Sequence, residues 1–279
     1  MAGSGIEVKR PEDIIAMRAA GLVVARTLAA VAAAARPGVT TAELDELARE
    51  QLAAAGAGSS FLHYGAGFGL PPYPAVTCIS TNDEIVHGIP GPRVLAAGDL
   101  VSVDFGAIVA GWHGDAAVSI EIEAVAPDVA ELSAVTREAL WRGIAAARIG
   151  GRVGDISAAI EGFVTRRPAR YGIVREFTGH GIGTAMHQQP DVPNYGRRGR
   201  GPLLVKGMCL AIEPMLTLGG EQTATLDDEW TVVTRDRSIA CHWEHTVALT
   251  GRGLWVLTAE DGGEELLESL GARFAPLGD

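Results

Sequence analysis

The stretch "GHGIGTAMH", residues 179–187, sets His180 and His187 seven positions apart with glycines around them. A zinc-protease helix would carry its imidazoles four apart on one face and would not place two glycines between them. The spacing instead predicts a loop or strand pressed against a site, because glycine permits unusual dihedrals and lets neighbouring groups come close. Several acidic residues also sit in apolar company. In "VSVDFGAIVAGWHGDAAVSI", Val101, Val103 and Phe105 alternate with Ser102 and Asp104, so Asp104 leaves the face opposite the apolar one. A hairpin turning about Val109 and Ala110 would set Asp115 directly across from Asp104, at roughly 5 Å. Two such carboxylates repel each other, and a cation between them resolves the conflict. Glu213 lies in "CLAIEPML" and Glu244 in "SIACHWEHTVALT", and ionised groups in such runs are seldom buried unless paired or metal-bound. This set, four carboxylates with one or two imidazoles, exceeds what one tetrahedral zinc needs. Bridging carboxylates hold two divalent ions about 3.5–4 Å apart, and manganese, iron, cobalt or zinc suits a mainly oxygen set.

These side chains need elements to carry them. Pro11 followed by Glu12 and Asp13 is a helix start, and Ile14, Met17, Leu22, Ala25 and Leu28 give an apolar stripe as far as "RPG" at 36–38. Thr40 with Glu43 forms a capping box for a second helix, whose apolar face is Leu44, Leu47 and Leu52 and whose end is Gly56. A Gly/Pro-rich stretch over 65–74 leads into the β-rich runs "AVTCIS" and the Asp104–Asp115 hairpin. The second half repeats this order. A helix is expected over about 127–148, then the break "GGRVGD", a short helix with Ile156, Ile160 and Val164, the glycine loop, and two long strands, "MCLAIEPMLTL" and "SIACHWEHTVALT". Helix, turn, helix and hairpin, occurring twice, predict two α+β halves around one sheet system.

Composition bounds the rest. A chain of 279 residues with 47% hydrophobic and 20% charged residues is a globular protein, and no low-complexity linker divides it. One catalytic domain over 1–279 is expected, with short tails at 1–10 and 260–279. A net charge of −11 argues against broad nucleic-acid binding, and "GRRGRG" at 196–201 is the local exception. The start lacks a secretory pattern. "GLVVARTLAAVAAAA" is apolar, but Arg18, Arg26 and Arg36 punctuate it too closely for a membrane span. A cytoplasmic protein is therefore expected. Cys78, Cys209 and Cys241 form no even set and no C-x-x-C pair, which fits reduced thiols.

The fragments "CISTNDEIVHGIP", "VDFGAIVAGWHGDAAVSI", "TGHGIGTAMHQQPDVPNYG", "AIEPML" and "HWEHTVALT", in this order, resemble the type I methionine aminopeptidases from about residue 7 to 258. The resemblance implies the pita-bread α/β fold, with pseudo-twofold halves of antiparallel sheet and helices around a central metal site. It implies a dinuclear centre held by Asp104, Asp115, His180, Glu213 and Glu244, with Asp115 and Glu244 bridging. It further implies that His87 and His187 meet the substrate beside the scissile peptide, that Glu213 shuttles a proton, and that Tyr73, Cys78 and Trp230 line the methionine pocket. Metal-assisted hydrolysis removing an N-terminal methionine before a small second residue follows, and the chain's own start, "MAGS", would be such a substrate. Met186 and "HQQP" depart from the phenylalanine and "HEEP" common in relatives. His113, two before Asp115, is read as structural or as supporting a neighbouring group, and His63, His242 and His245 as ordinary histidines.

Prolidase or aminopeptidase P is the nearest alternative, but those relatives usually carry a further N-terminal domain. A type II methionine aminopeptidase would carry an insertion that the 25 residues between His187 and Glu213 leave no room for. A non-catalytic binding protein on the same fold is the alternative from another class. Expected partners are nascent polypeptide N-termini and, through Arg197, Arg198 and Arg200, a transient ribosome contact. No membrane, no sequence-specific nucleic acid and a monomer are expected.

Overall fold

The computed structural model describes residues 5–278, so the "MAGS" start lies outside the described residues. Helix α1 (Pro11–Ala34) begins at Pro11, and the Asp13 carboxylate accepts the Arg10 backbone N–H at 2.9 Å. Its buried stripe runs Ile14, Met17, Gly21, Val24, Leu28, Val31, whereas Leu22 and Ala25 are only half-buried. Alternating steps of three and four keep to one helix face, and the expected step from 17 to 22 leaves it. By length and composition α1 could cross a membrane, but its stripe is spent on packing against the first sheet. Helix α2 (Thr41–Ala55) has the expected ends. The Glu43 carboxylate accepts the Thr40 N–H at 2.7 Å, the Thr40 hydroxyl accepts the Glu43 N–H at 3.2 Å, and Gly56 closes the helix in the left-handed region at φ 61°.

Strands β1 (Gly58–Ser59), β2 (Thr77–Thr81), β3 (Glu84–Val86), β4 (Leu100–Val109) and β5 (Trp112–Glu121) follow, and β1, β2 and β5 join β4 in one antiparallel sheet. Val101, Val103 and Phe105 are buried beneath the two helices with Val24, Leu28, Leu44 and Leu52. In the β4–β5 hairpin Val109 pairs with Trp112, leaving Ala110 at φ 49° and Gly111 at φ 82° as the turn. Positive φ at both central residues is the two-residue turn whose twist matches a hairpin. The turn lies one residue beyond the expected place. Every pairing therefore shifts by two, so that Asp104 opposes Ala117 and Asp115 opposes Gly106. The two aspartates are diagonal neighbours on one face rather than a direct pair.

The second half contains α3 (Pro127–Ala146), α4 (Val153–Val164), β6 (Gly172–Ile173), β7 (Gly179–Gly181), β8 (Gln188–Val192), β9 (Cys209–Ile212), β10 (Met215–Thr217), β11 (Thr223–Thr225), β12 (Val232–Thr234), β13 (Ala240–His242), β14 (His245–Leu249), β15 (Leu254–Val256) and α5 (Glu264–Ser269). Leu140, Ile144, Ile156 and Ile160 of its helix pair pack on Leu210, Ile212 and Val247. The two runs expected as long strands are each broken. Strands β9 and β14 belong to a five-stranded sheet of order β15-β14-β9-β7-β8, while β10 and β13 belong to a three-stranded one of order β13-β10-β6, and β11 and β12 extend to β3. One ladder stops at Ile212 opposite His245 and the next starts at Met215 opposite His242. Pro214, in the gap, has no N–H to give either ladder.

The halves meet along a hydrogen-bonded seam. The Glu244 N–H donates to the Ala117 carbonyl at 3.0 Å and the Ala117 N–H donates back at 3.3 Å, while the Thr246 hydroxyl donates to the Asp115 carbonyl at 2.8 Å. Residues 260–279, expected as a tail, include α5, whose Leu267 is fully buried, and Phe274 bridges to Leu254. Arg18 holds this segment by donating to the carbonyls of Leu257 at 2.7 Å and Glu260 at 2.8 Å. All three cysteines are free and buried.

Candidate metal centre and its pocket

Strand pleating aims Asp104 and Asp115 off the same face of the β4–β5 hairpin, and the broken strands of the second half bring Glu213 and Glu244 to meet them. His180 comes from β7, the strand beside β9. Its Nδ1 lies 3.0 Å from the Gly181 carbonyl. Donation there leaves the Nε2 lone pair free, and Nε2 points at Glu213, 3.5 Å from Oε1. Ligand atoms of Asp115, His180 and Glu244 all lie within 4.8 Å of one another. The glycines of the loop serve close approach rather than unusual dihedrals. A Cβ on Gly181 would stand 2.3 Å from the Gln189 carbonyl oxygen, and one on Gly183 would stand 2.2 Å from the Glu7 carboxylate, while none of the loop's glycines has positive φ.

One cavity gathers Asp104, Asp115, His180, Glu213, Glu244, His87, His187, Tyr73, Cys78 and Trp230, the whole set named from the sequence. Burial pushes the Asp115 carboxyl up to about 7. It pushes Asp104, Glu213 and Glu244 well above the carboxylate range, with the Asp115 charge adding to each. The same desolvation, with a neighbouring imidazole, takes His180 down to about 3 and His87 to about 4. His187 falls to about 4 through burial and His113. These imidazoles are neutral near pH 7. Asp104 Oδ1, Asp115 Oδ1 and Glu244 Oε1 are sealed from solvent and have no hydrogen-bond partner among the described residues. Buried anionic oxygens without donors are costly, and a divalent cation satisfies them together. The donor set, mostly carboxylate with one imidazole, fits such an ion.

Beside the carboxylates the cavity wall is apolar: Phe61, Tyr73, Cys78, Met186 and Trp230 pack as one cluster. The Tyr73 hydroxyl is turned away, donating to the carbonyls of Thr77 and Gly88 at 3.0 Å each, so the pocket sees its ring. Burial raises the Cys78 thiol well above its usual value, leaving it a neutral wall atom.

Four residues lining the cavity escape the sequence reading: Phe61, Tyr64, Val86 and His242. Phe61 and Tyr64 come from the loop before β2, where neither periodicity nor motif marks a side chain. The Tyr64 hydroxyl lies 2.5 Å from His187 Nδ1. His242 is 1% exposed and lines the same cavity, which corrects its reading as an ordinary histidine. It stands two residues before Glu244, but β13 ends at His242 and Glu244 lies in the gap before β14, so strand alternation does not link the two. His245 lies outside the cavity, bonded to Thr258 at 2.9 Å, and His63 is exposed. His113 pairs with the Ser60 hydroxyl at 2.9 Å, in keeping with a supporting role.

The sequence pattern of metallopeptidase family M24 matches residues 15–251. Methionine aminopeptidase 1 of Mycobacterium tuberculosis is 51% identical over 251 residues, which cover 88% of this chain and 92% of that one. The crystal structure of a methionine aminopeptidase from Thermotoga maritima superposes with a TM-score of 0.87 at 39% identity, covering 91% of this chain and all of the other. A prolidase from Pyrococcus furiosus matches at 20% identity and a TM-score of 0.67, covering 90% of this chain and 65% of that one, a likeness of fold alone.

Proposed function

Because this chain belongs to metallopeptidase family M24 and stands among its methionine aminopeptidases, with the pita-bread fold, we propose that it removes the N-terminal methionine of nascent proteins and peptides whose second residue is small. The observation that carries the reading is the convergence of the buried carboxylates Asp115, Glu213 and Glu244, the half-buried Asp104 and His180 on one cavity whose wall beside them is apolar, aromatic and sulfur-bearing. Asp104, Asp115, His180, Glu213 and Glu244 would hold two divalent ions, cobalt, manganese, iron or zinc. When bound, such ions polarise a carbonyl and bring the pKa of water toward neutrality.

The chain's own groups do the rest. Glu213, flanked by His180, is the base that takes up the proton of the attacking water and later passes it to the leaving amine. His87 and His187 are neutral, so they act as hydrogen-bond partners of the peptide rather than as cations. Burial and the Asp115 charge raise the Tyr64 hydroxyl, which therefore keeps its proton and donates it to His187 Nδ1. His187 Nε2–H is then available for the oxygen that becomes negative. Phe61, Tyr73, Cys78, Met186 and Trp230 receive the thioether side chain, whose polarisable sulfur suits aromatic neighbours. A large second residue would displace the scissile bond from the reacting groups, which favours Ala, Gly or Ser there.

Hydrolysis of Met-Ala-X, Met-Lys-X and Ala-Pro-X, with metal-free protein reloaded with each of the four metals, tests this reading. Met-Ala-X should be cleaved and the other two should not. Preference for Ala-Pro-X would make the protein a proline-specific relative, and inactivity with every metal would make it a binding protein.

Cytoplasmic residence, a monomeric state and access to nascent chains belong to the same proposal. Arg197, Arg198 and Arg200 are exposed on a loop pinned to the start of α4, with the Gly199 N–H donating to Asp155 at 2.8 Å. A basic loop on an acidic protein would steer it to ribosomal RNA by a salt-sensitive attraction. Replacing the three arginines with serine should weaken ribosome co-sedimentation at low salt and spare tripeptide hydrolysis, and unchanged co-sedimentation would reject the contact.

A further inference from the structure

His242 occupies the last rung of β13 before the strand breaks, opposite Met215. Its backbone is fixed on both sides: the N–H donates to Ser102 Oγ at 3.2 Å and the carbonyl accepts from Ser119 Oγ at 2.8 Å. The residue itself is buried, 1% exposed, in the cavity lining. Its Nε2 is sealed from solvent, has no hydrogen-bond partner among the described residues, and lies 3.6 Å from Glu213 Oε2. The other Glu213 oxygen, Oε1, faces His180 Nε2 at 3.5 Å. The Glu213 carbonyl is held separately, by the Asn194 side-chain amide at 2.9 Å. One carboxylate is thus flanked by two imidazoles, one on each oxygen, and they differ in what their far nitrogens do. His180 Nδ1 is committed to the Gly181 carbonyl, which makes its Nε2 a lone-pair donor. Among the described residues no carbonyl claims the proton of His242 in the same way, so its Nε2 can carry a hydrogen toward Glu213.

We propose that His242 is a positioning residue, donating its Nε2–H to Glu213 Oε2 and thereby fixing the plane of that carboxylate. A slight rotation of the Glu213 side chain closes 3.6 Å into a hydrogen bond. With Oε2 held, Oε1 is turned to the side of His180, where a shared ion would sit. Carboxylate ligands that lose such a supporting donor lose about 10- to 100-fold in metal affinity or activity.

This inference rests on Glu213 being a metal ligand, and the experiment separates the two. His242→Gln places an amide N–H where Nε2 stands, whereas His242→Met fills the space and offers no donor. Calorimetric titration with Mn(II) should give His242→Met an affinity about 10- to 100-fold below wild type, at unchanged stoichiometry. Its kcat on Met-Ala-X should fall by a similar factor with KM unchanged. His242→Gln should restore most of both, a rescue that a packing role would not produce. Long-range 1H–15N NMR of the zinc-loaded wild type should find the proton of His242 on Nε2. Wild-type affinity in His242→Met, no rescue by His242→Gln, or a proton on Nδ1 would overturn the proposal. Loss of one bound Mn(II) per chain in His242→Met would overturn it too, by making His242 itself a ligand. If Glu213→Gln leaves Mn(II) affinity unchanged, the reading of Glu213 fails instead.

Discussion

The two halves deliver carboxylates to the same cavity by different means. In the first half, Asp104 and Asp115 ride one unbroken hairpin, on a face fixed by strand alternation and at a spacing fixed by the two-residue turn at Ala110 and Gly111. In the second half, Glu213 and Glu244 stand where strands have stopped, between the Ile212–His245 rung of one sheet and the Met215–His242 rung of another. A hairpin sets direction by pleat, so its accuracy is local and survives changes elsewhere. A break frees side chains from alternation, and their direction then depends on what pins the gap: Asn194 on the Glu213 carbonyl, and Ala117 of the opposite half on the Glu244 backbone. Glu213 and Glu244 therefore take their direction from contacts that pin the gap, whereas Asp104 and Asp115 take theirs from the pleat of their own hairpin.

The largest expected effect treats the halves alike. Asp104→Ala and Glu244→Ala should each reduce turnover to background and lower the bound metal measured by atomic absorption. If either variant kept near-normal activity and full metal content, the substituted carboxylate would not be a ligand.

Within the second half the two histidines should separate. His180→Ala should lose both metal and activity. His187→Ala should keep its metal and lose about 10² to 10⁴ in turnover, the range for acid–base and charge-stabilising groups. Equal metal loss in the two variants would erase the distinction between a ligand and a group that meets the substrate.

A smaller effect sharpens the contrast through protons. The Asp115 carboxyl is raised to about 7, and burial together with the Asp115 charge raises Asp104, Glu213 and Glu244 well above the usual carboxylate range. A carboxyl with a raised pKa holds its proton below that value, so metal must displace it. Affinity is then present at high pH and lost as pH falls through 7, by about tenfold per unit for each proton displaced. The imidazoles, lowered to about 3 and 4, stay neutral across that window and contribute nothing to the loss. Mn(II) titrations at pH 6, 7 and 8 check the slope, and a flat affinity would mean that the carboxylates are already ionised at pH 6.

The smallest effect isolates the hairpin. Gly111→Ala strains a left-handed turn residue and should cost about 1–2 kcal/mol in chemical denaturation, while register and turnover survive because the remaining ladder holds. Gly181→Ala would push a Cβ to 2.3 Å from the Gln189 carbonyl oxygen. It should disturb His180, and with it metal binding, as well as the fold. If Gly111→Ala reduced activity as strongly as Gly181→Ala, local and tertiary positioning would be the same thing in this protein.

What could be read from the chain alone follows the same division. Helix α2 was legible to the residue, because the Thr40–Glu43 box and Gly56 are local backbone chemistry. The alternation that exposes Asp104 on one strand face was legible too. The hairpin register was misplaced by one residue of turn, since the alanine preceding Gly111 takes a positive φ that its type does not announce. The long strands of the second half were misread because two short ladders in different sheets look like one apolar run. Tyr64 and His242 stayed hidden for a related reason: loops carry no period, and a histidine in a strand becomes a site residue only when another segment is brought against it.

The sequence by itself determined which side chains could do chemistry, their order, and the helices and strand faces that carry them, because caps, turns and alternation act over a few residues. Only the tertiary structure decided that Glu213 and Glu244 leave their ladders, that Glu244 locks onto Ala117 across the seam, and that two imidazoles flank one carboxylate. Those outcomes depend on which sheets the broken strands join, and no short-range rule of the backbone specifies that.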